Sequence, residues 1–180
     1  MLPSIFLIVA VAAAFLAALI DWRTGQIPNW LTLGLLAIAP VAHAVADGVT
    51  GGLNAASVSF GFSVLGAAVC ALAPLMIWLS GGGGGGDLKI FAALGALLGS
   101  SLGLEAEMYA FIGASLYSMA WMAYEGKLLQ TLSRTASLVI NPFLPAAKRR
   151  VLPEAMMTEL RFGPSIFLGT LLAAYLNWRG

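Results

Sequence analysis

The chain has 180 residues, of which 60% are Ala, Val, Ile, Leu, Met, Phe, Trp, Tyr or Cys and only 9% are charged, against about 25% charged in an ordinary soluble domain. So few charges cannot coat a water-facing particle, so a single all-α integral membrane domain over residues 1–180 is expected, with no room for a separate soluble one. A net charge of +1 argues against nucleic acid as a partner, and the single cysteine, Cys70, excludes disulfide staples and a four-cysteine zinc site.

The first apolar run, residues 2–20, has the length of a membrane crossing. It lacks the Lys/Arg start and small-residue cleavage site of a secretory signal, so it reads as a retained span. Asp21-Trp22-Arg23-Thr24-Gly25-Gln26-Ile27-Pro28-Asn29 follows. Asp21 is expected where the helix meets water; Pro28 pushes Ile27 out of helical geometry, and Asn29 is expected to cap the next helix. Residues 30–46 form the second run, with His43 and Asp47 spaced as an interfacial pair at its far end. Residues 55–79 form the third, with Cys70 as a small buried hydrophobe. Pro40 and Pro74 are tolerated inside these runs as kinks.

Six consecutive glycines, residues 81–86, then lead into Asp87-Leu88-Lys89. Such glycine tracts usually mean a flexible linker, but this one has no serine, lies between two spans and ends on an acid that opens an apolar helix. Bare backbone lets a substrate strand approach closely; the plain alternative is that Asp87 only caps its helix. Residues 88–104 and 106–124 are the fourth and fifth runs. Lys89 and Glu107 are expected to reach from helix ends toward the interface, and Gly95, Gly99 and Gly103, four residues apart, to mark a close helix contact. The connection 125–162 is the one sizeable polar segment. Its Lys148-Arg149-Arg150 triplet suits anionic headgroups, at about 1 kcal/mol per cation near the surface, or substrate docking, and residues 153–161 suit a short interfacial helix. Residues 163–178 form the last run. Trp22, Trp30, Trp78, Trp121 and Trp178 all fall near run ends, as an aromatic belt does.

Eight of the nine cations, all but Arg179, fall in the first, third and fifth connections. Cytoplasmic loops retain positive charge, so six spans with both termini outside are expected, with loops at about 21–29, 80–87 and 125–162 in the cytoplasm. Asp21 and Asp87 then face the same side. Two carboxylates that share one proton can hydrolyse a peptide without metal or cofactor: the ionised one takes a proton from water while the protonated one polarises the scissile carbonyl.

The spacing Asp21-x5-Ile27-Pro28-Asn29 and the segment Gly84-Gly85-Gly86-Asp87-Leu88-Lys89 resemble the two signatures of type IV prepilin peptidases, a branch of the GxGD aspartyl proteases. Phe162-Gly163-Pro164 resembles the aromatic-Gly-Pro start of that family's last helix. The resemblance implies six membrane helices, catalytic aspartates at Asp21 and Asp87, and site-shaping roles for Ile27, Pro28, Asn29, Gly84, Gly85, Gly86 and Lys89. It also implies cleavage of a basic leader from a prepilin or pseudopilin at the cytoplasmic face of the bacterial inner membrane, with no cofactor and no metal, and with lipid and other pilus-assembly proteins as partners. Longer members carry a cysteine-rich zinc-binding insert and methylate the new pilin N-terminus. This chain has no such insert, so it looks like the short form of tight-adherence (Flp) pilus systems, with peptidase activity expected and methylation not.

A helix C-terminus disfavours negative charge and an N-terminus favours it, so the sequence predicts that Asp87 holds the charge of the pair and Asp21 the proton. Two other classes compete. A small ion-coupled transporter would also place acids in the membrane, but no acid is expected at mid-span. A noncatalytic subunit of a pilus or secretion assembly would leave a prepilin uncut.

Overall fold

The structure, a computed structural model, describes residues 4–80, 84–124, 126 and 161–178, all of it helix and short connections. The chain divides into two compact units, Met1–Gly113 with Arg161–Gly180, and Ala114–Leu160. The triplet at residues 148–150, the segment 153–161 up to Leu160, and glycines 81–83 lie outside the described residues.

Four helices are described: α1 (Ser4–Thr24), α2 (Asn29–Leu79), α3 (Gly85–Tyr124) and α4 (Gly163–Leu176). The first three are long and apolar enough to cross a membrane, and α4 is a shorter apolar helix. α1 has 21 residues, about 31 Å at 1.5 Å each, the thickness of a hydrocarbon core. Phe6 and Leu7 are buried near its start, and from Ala10 on the two faces differ in side-chain size and not in polarity. Ala10, Ala13, Ala14, Ala17 and Ala18 are buried, while Ile5, Ile8, Phe15, Leu16 and Leu19 face outward. Without a hydrophobic drive between helices in lipid, small side chains that let backbones approach are what select the inner face. Asp21 continues that buried stripe, one turn beyond Ala17.

α2 and α3 each contain one residue outside helical geometry, and at that residue the helix folds back on itself. In α2 it is Gly52 (φ 71°, ψ −169°). The Ser59 hydroxyl donates to the Asp47 carboxylate twelve residues earlier, a pair that a straight helix would hold about 18 Å apart. In α3 it is Gly99 (φ 76°, ψ 173°). A β-carbon on Gly103 would lie 3.1 Å from the Gly95 Cα, where a straight helix would separate the two by about 12 Å. Positive φ at both reversals is open to glycine at little cost and to other residues only under strain.

The reversal at Gly99 corrects the expected boundary between the fourth and fifth runs, placed at Glu105. It also alters the reading of the Gly95, Gly99, Gly103 spacing: Gly99 is the bend, and Gly95 and Gly103 make the close contacts around it. A β-carbon on Gly95 would lie 2.3 Å from the Gly66 carbonyl and 2.7 Å from the Cys70 Cβ. Carbonyls just before the bend lose their helical partners and find others on α2. His43 Nε2–H donates to the Leu97 carbonyl (3.0 Å) and Ser63 Oγ to that of Ala96 (2.7 Å). His43 is therefore buried, its ring stacked on Phe6 at 3.8 Å, and not the expected interfacial partner of Asp47. Glu107 is likewise buried, with neither carboxylate oxygen hydrogen-bonded among the described residues. Once the bend is at Gly99, Glu107 stands two turns inside the following arm and cannot reach the interface.

The arm of α3 before the bend is the centre of the first unit, with Ile90, Phe91, Leu94, Leu97 and Leu98 buried. α4 packs against α1, and Gly169 meets the backbone of the other α3 arm, where a β-carbon would lie 2.5 Å from Ala110 N. Asn177 Nδ2 donates to Glu105 Oε2 (3.0 Å). In the second unit, the rings of Tyr117, Trp121 and Tyr124 follow one another along α3 at 6.3 and 6.2 Å.

Candidate active site

The end of α1, the start of α3 and the start of α4 carry the acids and their immediate partners. α1 runs past Asp21 to Thr24 and ends at Gly25 (φ 70°), whose N–H donates to the Asp21 carbonyl at 2.8 Å. That single bond from a left-handed glycine is a helix stop, so the expected loop 21–29 shrinks to four residues, 25–28. Thr24 Oγ1 closes the end by donating to the Ile20 carbonyl (2.9 Å) and accepting the Gln26 N–H (3.3 Å). Asp21 is only 7% exposed. Its Oδ2 accepts the N–H of Gly163 at 2.9 Å.

Gly163 stands where no side chain fits: a β-carbon there would lie 2.7 Å from Asp21 Oδ2, 2.8 Å from Asp21 Cβ and 3.0 Å from Ala18 Cα. Phe162, just before it, packs its ring on Phe91 (6.0 Å) and Phe111 (5.4 Å). Pro164 occupies the first turn of α4, where its missing N–H is no loss.

Asp87 lies in the first turn of α3, which begins at Gly85, so the connection expected at 80–87 is also shorter. Its N–H donates to the Gly84 carbonyl (3.1 Å) and its Oδ2 accepts the Gly84 N–H (3.2 Å). The acid therefore sits at the third helical position and reaches back to the residue before the helix, as the acidic member of a capping box does. Asp87 and Asp21 lie close enough for the charge on one to act on the other. The sequence-derived division of charge and proton placed Asp21 at the very end of α1 and Asp87 at a helix start. Asp21 is inside the last turn of α1 and not at its end, and each carboxylate accepts one backbone N–H beside a helix N-terminus.

The other sequence-derived residues gather around this pair. Ile27 is buried, and a β-carbon on Gly86 would lie 3.3 Å from its Cβ. A β-carbon on Gly84 would lie 3.6 Å from Asp87 Oδ2, and one on Gly85 3.9 Å from Trp78 Nε1. Pro28 (φ −72°, ψ 139°) takes the capping position of α2 and its carbonyl accepts the N–H of Leu31 and Thr32. Asn29, expected as the cap, is the first helical residue instead, and its Oδ1 accepts from Lys89 Nζ at 2.8 Å. Lys89 thus ties the start of α3 to the start of α2.

Two contributors escaped the sequence reading. Gly163 was visible in the Phe-Gly-Pro motif but not as a donor to Asp21. Arg161, visible only as a loop cation, donates from Nη1 to the Trp22 carbonyl and lays its guanidinium over the Trp22 ring, 5.8 Å from the centroid. Further along, from the level of Phe15 and Phe167 toward the opposite ends of the two helices, an apolar groove of about 540 Å³ lies between α1 and α4, walled by Leu7, Val11, Phe15, Phe167, Leu171 and Tyr175 among others. Among the described residues no group of three or more His, Cys, Asp or Glu side chains could hold a metal ion.

A profile of the type IV leader peptidase family matches residues 8–123, and the chain belongs to that family. No curated protein and no solved structure matches it.

Proposed function

We propose that the chain is a membrane aspartic endopeptidase that removes the leader peptide of Flp-type prepilins at the cytoplasmic face of the bacterial inner membrane. Asp21 and Asp87 share one proton. The observation that carries this reading is the meeting of the segment after α1 with the start of α3, through Ile27 against Gly86 and Asn29 against Lys89, which brings Asp21 and Asp87 near each other from helices far apart in sequence.

The chemistry follows from the pair. The ionised carboxylate takes a proton from a water molecule as its oxygen attacks the scissile carbonyl carbon, while the protonated carboxyl donates to the carbonyl oxygen. The resulting diol collapses, the C–N bond breaks, the leaving amine takes a proton from the acid that accepted one, and one diol hydroxyl returns its proton to the carboxylate that gave one. Gly84 and Gly163 N–H, each on one carboxylate, hold the oxygens in place between these steps.

Six crossings suit the reading, with the reversals at Gly52 and Gly99 each separating two. Placing the acids in the cytoplasm rests on the eight cations in or beside the odd-numbered connections. The apolar groove suits the hydrophobic helix that follows a prepilin leader. That helix would pack from the lipid side while the scissile bond lies at the carboxylates. Ile27, Pro28, Asn29, Gly84, Gly85, Gly86 and Lys89 shape the floor of the site and hold no reacting atom.

Glu107 gives the ion-coupled transporter its one supporting observation, because an acid does lie within a membrane arm. Co-expression with a prepilin separates the readings. The wild type shortens the prepilin, and Asp21→Ala and Asp87→Ala each leave it full length. A prepilin left intact by the wild type, or cut by either variant, would falsify the aspartic-dyad proposal.

A further inference from the structure

We propose that Arg161 is a positioning residue for the Asp21 carboxylate, acting through Gly163. The inference rests on the peptidase reading, since it assigns Arg161 a part in aligning one acid of that dyad.

The last carbonyls of any helix lack in-helix partners. In α1 the Asp21 carbonyl is taken by Gly25 N–H, and Gln26 N–H, the next donor in order, goes to the Thr24 hydroxyl. The Trp22 carbonyl is left for a donor from elsewhere, and Arg161 supplies it, as a cation at a helix C-terminus does favourably. The stacked Trp22 ring fixes the direction of the guanidinium. Two residues later in the chain Gly163 N–H meets Asp21 Oδ2.

The same short stretch is therefore fastened to α1 at two consecutive residues, Asp21 and Trp22. Pro164 carries no N–H, and the N–H groups of Ser165 and Ile166 go to the Phe162 carbonyl, so the Gly163 amide serves Asp21 alone. Closeness to Ala18 and Asp21 leaves the glycine no slack. Releasing Arg161 frees the segment to lift, and the amide lifts with it. Arg161 touches neither acid and no reacting atom; it sets where Gly163 sits, and Gly163 sets the Asp21 rotamer.

The test uses the purified full-length protein in lipid nanodiscs, cleaving a prepilin. Arg161→Met should lower kcat about tenfold, the scale on which sub-ångström misplacement of a catalytic group acts, with KM nearly unchanged. Arg161→Lys, which keeps a donor and a cation, should recover most of that loss. Combining Arg161→Met with Gly163→Ala should cost little more than Gly163→Ala alone, because both act on one contact. Independently of cleavage, hydrogen exchange at the Gly163 amide should speed up in Arg161→Met and stay slow in Arg161→Lys.

Wild-type kcat in Arg161→Met, a loss confined to KM, full additivity with Gly163→Ala, or unchanged exchange at Gly163 would each overturn the inference. A wild type that fails to cut the prepilin overturns the peptidase reading instead, while the exchange measurement still decides whether Arg161 holds Gly163.

Discussion

Ile27 rests its side chain on the bare backbone of Gly86, so that a β-carbon added there would come within 3.3 Å of the Ile27 Cβ. The contact joins the turn after α1 to the first turn of α3, one residue from Asp87. Gly86→Val should abolish prepilin cleavage, a loss of at least about a hundredfold, without loss of membrane insertion. Gly84→Ala, whose new methyl would find ordinary contact at 3.6 Å from Asp87 Oδ2, should cost far less. Trimming the neighbour with Ile27→Ala should restore part of the activity of Gly86→Val. Gel-shift assays of prepilin processing in isolated membranes check all three.

Lys89 and Asn29 form a second tie nearby, between the starts of α3 and α2, through an exposed hydrogen bond of 2.8 Å. Exposed contacts of this kind contribute no more than about 1 kcal/mol. Lys89→Ala and Asn29→Ala should therefore each slow cleavage by no more than about fivefold, and the double variant should be no slower than either one. Single-turnover rates measure this.

Filling the groove between α1 and α4 should weaken substrate binding and leave the chemistry intact. Leu171→Trp is expected to raise KM about tenfold, the value of roughly 1.4 kcal/mol of binding, with kcat unchanged. A truncated substrate that carries the cleavage site but lacks the apolar helix should be cut equally well by wild type and variant, since it never used the groove. Steady-state kinetics with the two substrates provide the comparison.

Glu107 combines burial with two oxygens that have no hydrogen-bond partner among the described residues. Burying a polar group without partners costs about 1–3 kcal/mol, so Glu107→Leu should raise the thermal midpoint in detergent while prepilin cleavage continues. A fall in the midpoint would show that the carboxyl has a partner worth keeping. Loss of cleavage would return the transporter-like reading to consideration.

The lipid setting and the helical class were legible from composition, because transfer into hydrocarbon depends on side chains alone. The acids at Asp21 and Asp87 were legible from local spacing. The bend at Gly99 was not. Within residues 90–104 only Ser100 and Ser101 interrupt the apolar sequence, and two serines beside a glycine are too brief a polar step for hydropathy to register a turn. The end of α1 was in fact written in the sequence as Thr24-Gly25, a helix stop with a left-handed glycine. Asp21 masked it by looking like the first residue in water. His43 and Ser63 could not be read at all, since their partners are carbonyls fifty-four and thirty-three residues further on, free to accept only because the chain bends just beyond them.

The bend at Gly99 also gives the site a mechanical character. Asp87 stands twelve residues from Gly99, about 18 Å along a helix, on an arm that joins the rest of α3 through a single residue of unusual backbone geometry. On a lever of that length a pivot of about 5° carries the carboxylate roughly 1.5 Å, a displacement large enough to change a reaction rate a hundredfold. The alignment of the two acids is therefore set as much at the far end of the arm, where His43 and Ser63 clamp the last carbonyls before the pivot, as among the residues that surround the acids themselves.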